Sequence, residues 1–427
     1  MSTLQGAPPY STRPDEDKEI IFVRHAQSQG NVDGLWHGRT DGPLSDDGEE
    51  SLEHLGRRLS TWDVDVVITS PLARTRRTAE ALGREVVIDE DFIEMDAGRW
   101  EGRSFVEVEE NSLDELQAAF ADWTVPMGVT GESLDQIAKR AYTAIDRILD
   151  RLGNGQRAVV VTHGGLMQSV LHRHLAGKDR PIHPVMSNTG ITRIRWQYGR
   201  PRLATFNDTG HLGSRPSLAD HHLKKGTPVL ALVRHGRTQA NVEQRWQGHG
   251  DWDLDDMGHR QAEALGEWYG ELDTVYSSPL KRAMSTASRV AAEDIVPVDD
   301  LREMHMGEWE GLTSQEILEL FPADMKTIYE EGVDLPRGRT GESWSQLAAR
   351  VSSAIHSIDP ADAEPTIVVA HGGAIRSYLG SLTDTTDTHS ESLFTPANTS
   401  ISHVAMTEEG PFILDYAVAP HLESLSD

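Results

Sequence analysis

Two short stretches set an arginine directly before a histidine at the end of an apolar run: EIIFVRH, ending at His25, and LALVRH, ending at His235. Farther along, Ser-Pro-Leu blocks carry Arg74 and Arg282, Glu-Met segments carry Glu94 and Glu303, and His-Gly-Gly blocks carry His163 and His371. Each set therefore offers two histidines, a carboxylate and two arginines, Arg24 with Arg74 and Arg234 with Arg282. That combination suits phosphoryl transfer. An imidazole nitrogen can attack phosphorus and hold the group as a phosphohistidine, dividing one hard step into two. Guanidinium forks match phosphate oxygens and neutralise charge on the group in transit. A carboxylic acid near the leaving oxygen can give up its proton and later take one from the attacking water.

Residues so far apart in sequence act together only if the fold gathers them. The two sets belong to a repeat: SPLARTRRTA returns as SPLKRAMSTA, IEMDAGRWEG as REMHMGEWEG, TGES as TGES, THGG as AHGG and SNTGI as ANTSI. The step between matching blocks stays at 208–210 residues, so the chain is a tandem duplication. Within each copy, short β-branched runs such as 19–23, 65–69 and 158–162 alternate with helical patterns over 47–59, 72–82 and 166–175. The second copy repeats the strands as PVLALV, TVYS and TIVVA. Strand–helix alternation predicts an α/β chain of two tandem three-layer α/β/α domains, each around a mostly parallel sheet. In such sheets ligands sit beyond the carboxyl ends of the strands, where the Arg-His, Ser-Pro-Leu-x-Arg and His-Gly-Gly blocks fall. The expected boundaries are a flexible tail over 1–18, domain 1 over 19–212, a surface linker over 213–226 and domain 2 over 227–424.

A length of 427 residues suits two domains of this kind. Asp and Glu number 68 against 40 Lys and Arg, a formal charge of −28, which argues against nucleic-acid or anionic-membrane partners. An anionic substrate then needs a locally basic site. The chain has no cysteine, which removes disulfides, thiolate metal sites and a cysteine nucleophile. No metal-ligand spacing stands out; His221 and His222 read as part of a solvated linker, and His37, His54 and His305 as structural residues. With neither an apolar leader nor an eighteen-residue apolar run, a cytoplasmic protein is expected.

Arg-His-x-x-Ser/Thr-x-x-Asn, followed by Ser-Pro-Leu-x-Arg and His-Gly-Gly, resembles the histidine phosphatase superfamily, the phosphoglycerate mutase-like proteins. The motifs occur in the family's order, twice, and cover nearly the whole chain outside tail and linker. The resemblance implies that His25 is the phosphorylated nucleophile, that Arg24, Arg74 and His163 form the phosphate pocket, that Glu94 donates the proton, and that Asn31 contacts phosphate or substrate. For the second copy it implies the same of His235, Arg234, Arg282, His371, Glu303 and Asn241. It implies no metal and no cofactor. The substrate would be a small phosphate ester. Mutases of the family carry a longer segment between the donor and the second histidine. Here that interval is 69 and 68 residues, which favours hydrolysis over transfer. A regulatory protein would usually have lost a core residue, and neither copy has.

The copies differ around the motifs. Ala26 stands where the family pattern has glycine and the second copy has Gly236. Gln27, Leu35, Ala73, Met127 and Val129 answer to Arg237, Arg245, Lys281, Arg337 and Arg339. If those cations ring the mouth, with Arg237, Arg337 and Arg339 touching substrate, the second site prefers esters with another anionic group. Copy one has its own basic pair, Arg76 and Arg77, one helical turn along. The alternative is that these arginines pair with the abundant surface carboxylates.

Overall fold

The computed structural model describes residues 17–175, 185–197, 199–213, 217–270, 272–361, 363–383, 392–423 and 425. The chain divides into two compact units, with the main break at Gly213 and Ser214 and with Ala204–Phe206 grouped with the second unit. The first holds β1 (Lys18–Arg24), β2 (Val66–Thr69), β3 (Val86–Ile88), β4 (Arg157–Thr162), β5 (Ile191–Gln197) and β6 (Arg200–Asp208) in the order β3-β2-β4-β1-β5-β6. The second holds β7 (Val229–Arg234), β8 (Leu272–Ser277), β9 (Ala291–Pro297), β10 (Thr366–Ala370), β11 (Ile401–Thr407) and β12 (Gly410–Ile413), ordered β12-β11-β7-β10-β8-β9. In each, the central strand pairs in parallel with the strand leading to the second histidine and antiparallel with the next one along. Both units are three-layer α/β domains with mostly parallel sheets.

The apolar runs become the central strands because both faces are covered: Ile20, Ile21, Phe22 and Val23 have no exposed surface, nor do Val160 and Val161. Sequence alternation located those strands but passed over β3, β5, β6, β9, β11 and β12, which are shorter, edge-lying or polar. Segment 213–226 is more than a linker. It contains the helix Ser217–Lys224, whose Ala219 and Leu223 pack with Val229, Ala405 and Leu414 of the second domain. Residues 1–16 of the expected tail lie outside the described residues, whereas Asp17 and Lys18 belong to the first domain: Asp17 accepts a hydrogen bond from Arg195 at 2.9 Å and Lys18 opens β1.

The starts of β1 and β4 and the later part of antiparallel β5, toward the sheet end away from the histidines, carry charge inside the protein. Glu19 is fully buried between Arg157 at 2.6 Å and Arg193 at 2.8 Å, and the arginines hold its carboxyl below the usual range against the opposing effect of burial. The second domain has Val229 and His403 at the places of Glu19 and Arg193. The sheet itself therefore does not need the carboxylate. Its removal from domain 1, however, strands two guanidiniums in the interior, so Glu19→Ala should cost about 3–5 kcal/mol in urea denaturation.

Candidate active site

Arg24 is the last residue of β1 and His25 the next, so both reach the rim where parallel strands end. The peptide between them is pinned from the far side of the sheet. The N–H of Thr189 donates to the Arg24 carbonyl at 3.0 Å, and Asn188 Nδ2 donates to the His25 carbonyl at 2.9 Å. Thr189 takes φ = +56°, a costly choice for a β-branched residue, and Thr399 in the second domain takes the same value. Asn398 bonds His235 as Asn188 bonds His25.

His25 Nδ1 lies 2.7 Å from the carbonyl of Ala26. A carbonyl only accepts, so Nδ1 carries the hydrogen and Nε2 presents the lone pair. His235 is held in the same way by Gly236 at 2.7 Å, so the alanine at position 26 leaves this anchor intact. Burial, then Arg74, then Arg24 push the His25 imidazole well below its ordinary range, and burial with Arg282 and Arg234 does the same to His235. The ring of His163 stands 5.2 Å from that of His25, and His371 stands 5.1 Å from His235. Both second histidines are fully buried, bond a serine through Nε2 (Ser70 and Ser278, each at 2.7 Å) and keep a buried Nδ1 that meets no partner among the described residues.

Arg74 and Arg282 are buried and reach back to the loop after the nucleophile. Arg74 donates to the carbonyls of Thr40, His37 and Gly38, and Arg282 to those of Gly250 and Gly248. Burial lowers Arg234 and Arg282 to about 10, still charged at neutral pH. The Arg24 guanidinium donates to the Met186 carbonyl and Arg234 to that of Pro396.

Glu94 accepts from the backbone N–H groups of Met95, Leu166 and Gly165 at 2.8–3.0 Å, the last two at the start of the helix Gly164–Leu175. Glu303 repeats this with Met304, Ala374 and Gly373. Two neighbouring carboxylates are committed elsewhere: Glu101 binds the N–H groups of Arg39, Thr40 and Ala97, and Glu310 those of His249 and Met306. The TGES blocks turn out to clamp the donor. Arg140 bridges Glu132 to the carbonyls of Asp91, Ile93 and Glu94, and Arg350 bridges Glu342 to those of Asp300, Arg302 and Glu303.

With this geometry in both halves, the family is decided by comparison. The model of the histidine phosphatase superfamily, branch 1, matches residues 20–209 and again 230–419. The chain belongs to the histidine phosphatase superfamily. Two Arabidopsis thaliana relatives are similar to it. Phosphoglycerate mutase-like protein 4 is 39% identical over 35% of this chain and 68% of its own length. A metal-independent phosphoserine phosphatase is 33% identical over 46% of this chain and 84% of its own.

For a histidine phosphatase, the rim cations of the second domain are unexpected. Each meets a carboxylate: Arg237 pairs with Asp255 at 2.8 Å, Arg245 with Glu243 and Glu316, Arg339 with Asp324 and Glu308, and Lys281 approaches Asp251. Arg337 is not on a rim but buried, against the Leu335 carbonyl, Asp334 and the Tyr329 ring. The charges that weigh on His235 are those of Arg282 and Arg234. Of the three arginines expected to touch substrate, Arg237 and Arg339 are thus paired with carboxylates and Arg337 is buried beside Asp334; a surface so rich in Asp and Glu supplies each with a partner. Arg77 of the first domain likewise pairs with Glu49. Asn31 and Asn241 act first as capping residues, Oδ1 accepting from Ser28 and Thr238 and from the pinning Asn188 and Asn398.

Sequence reading missed Ser70, Ser278, Asn188, Asn398, Arg140 and Arg350, although all but the two arginines lie inside repeated blocks. It also set His37 aside as structural. The charge of His37 acts on His25, and its Nδ1 is buried and unpartnered among the described residues; Gln247, at the same place in domain 2, has a buried Oε1 in the same condition. His37 fits because residue 30 is glycine: a Cβ there would lie 2.1 Å from Nδ1. The second domain combines Gln247 with Ala240. No group of three His, Asp or Glu side chains among the described residues is placed to hold a metal ion, and no described helix is long and apolar enough to cross a membrane.

The four neutral histidines set a pH dependence. Unfolded, each takes up a proton below about pH 6.5; folded, it resists. The unfolded chain then binds more protons, so stability falls as pH drops below about 6.5, at a rate approaching 1.4 kcal/mol per unit for each histidine. Thermal melts at about pH 7 and about pH 5 should show a smaller loss for the His25→Asn/His235→Asn chain than for wild type.

Proposed function

We propose that the chain is a phosphomonoesterase with two working sites, each hydrolysing small phosphate esters through a phosphohistidine. The observation that carries this reading is the tautomer of His25 and His235: Nδ1 is tied to the next carbonyl, which leaves a neutral Nε2 under the charge of two guanidiniums, on which Glu94 or Glu303 also acts. Nε2 attacks phosphorus, the bond to the ester oxygen breaks, and Glu94 or Glu303 supplies the proton that leaves with the alcohol. Water then attacks the phosphohistidine, returns a proton to the carboxylate and releases inorganic phosphate, freeing the imidazole. Arg24 with Arg74, and Arg234 with Arg282, neutralise the phosphoryl oxygens throughout. His163 and His371, oriented by Ser70 and Ser278, offer Nδ1 to the same group.

The test uses a generic aryl phosphate with chelator present. His25→Ala and His235→Ala should each retain part of the activity, and the double variant should lose it. Phosphate should appear in solution one for one with the alcohol; transfer to a second phosphoglycerate-type acceptor instead would favour a mutase. Glu94→Gln in the His235→Ala background should lower kcat about 10²–10⁴-fold, the usual reach of one proton donor. A double variant as active as wild type would overturn the reading.

A further inference from the structure

One corner of the site is built differently in the two domains. Domain 1 has Arg39 and Asp96 where domain 2 has His249 and His305. Arg39 lies 3.8 Å from Asp96 and 3.1 Å from Glu132, so opposite charges stand against each other. In domain 2 the two imidazoles stack instead, ring centres 5.0 Å apart and planes at 40°. His249 Nε2 donates to the backbone carbonyl of Glu303 at 2.9 Å, which leaves Nδ1 as the nitrogen that accepts a proton.

The pair is both beside the chemistry and in touch with solvent. Glu303 is the proton donor of the second site, His305 lies two residues beyond it, and the charge of His249 acts on His371. His305 is 41% exposed. The groups facing His249 are His305, Glu342, Glu310 and His371; those facing His305 are His249 and Glu310, 3.8 Å from its Nε2, with Glu342 on its backbone N–H. Glu342 is already paired with Arg350 at 2.7 Å. Glu310 also acts on Arg282, but its ion-pair contact is with His305, so with both rings neutral it is the carboxylate that an incoming second anionic group meets at this corner, and that group is repelled. Burial and the neighbouring ring disfavour charge on His249, so protons enter the pair one at a time. The first cancels the negative charge.

We propose that the His249–His305 pair is the specificity element of the second site: protonated, it admits a phosphate ester bearing another anionic group, such as a carboxylate, and neutral, it turns that ester away. This rests on the phosphatase reading. It also moves the charge difference between the two sites from the paired arginines to a pair of histidines. Site 1, with its fixed ion pair, has no such response.

The experiment uses full-length chains with one site silenced, His25→Ala to read site 2 and His235→Ala to read site 1. Phosphoglycolate, which carries a carboxylate, is compared with p-nitrophenyl phosphate, which does not; the ratio of their kcat/KM values cancels most of what the shared phosphate and catalytic groups contribute. Between about pH 7.5 and about pH 5.5 the ratio should rise about fivefold at site 2, chiefly through KM, and stay level at site 1. His249→Arg/His305→Asp, which imports the arrangement of site 1, should flatten the site 2 ratio, and so should the milder His305→Gln. A level ratio in a His25→Ala chain that hydrolyses p-nitrophenyl phosphate overturns the inference, as does a rise that survives both variants. A His25→Ala chain that hydrolyses neither ester overturns the phosphatase reading of site 2, and this inference with it.

Discussion

In each domain two guanidiniums lie against an imidazole that has to stay uncharged, and most of the surrounding structure follows from accommodating them. Burial first, and then these arginines, which make a third positive charge unfavourable nearby, keep the imidazole neutral. The arginines in turn need hydrogen-bond acceptors, beside carboxylates such as Asp41, 3.7 Å from Arg74. Backbone carbonyls meet that need: those of Met186, Thr40, His37 and Gly38 in domain 1, and of Pro396, Gly250 and Gly248 in domain 2. An approaching phosphate thus finds cations whose geometry is already set, and little reorganisation is left for the reaction itself.

The donor carboxylate depends on the same economy. Glu94 and Glu303 are held by backbone N–H groups at a helix start, while the charged clamp, Glu132 with Arg140 or Glu342 with Arg350, grips the loop through its carbonyls. Strong ion pairing is kept one step away from this carboxylate, which leaves it free to act as the proposed proton donor.

The repeat made much of this legible. A duplicated chain provides its own comparison, and the blocks that recur are the ones that meet at the strand ends: Arg-His, Ser-Pro-Leu-x-Arg and His-Gly-Gly. The central strands were readable from their apolar runs; β5, though inside the sheet, was not, because its polar residues Arg193 and Arg195 are buried by charge pairing that no periodicity announces. The helix at Ser217–Lys224 was hidden by turn-forming neighbours. The partners of Arg237, Arg245 and Arg339 were hidden for a different reason. Composition gives the number of cations and anions, but only three-dimensional placement tells which carboxylate each one meets. His37 and the histidines at 249 and 305 carried no periodic or motif signal, and their position becomes informative only once the loops are folded over the site.

The fit of His37 over Gly30 bears on how the two halves drifted apart. Position 30 must lack a side chain while an imidazole sits at 37, and the other half has a methyl at 240 beside the slimmer amide of Gln247. Neither residue can be exchanged for its counterpart alone without steric conflict or an unfilled space. The two positions are therefore coupled: carrying the imidazole into the second half at 247 calls for glycine at 240 as well, and a chimera that swaps one without the other inherits a clash or a void.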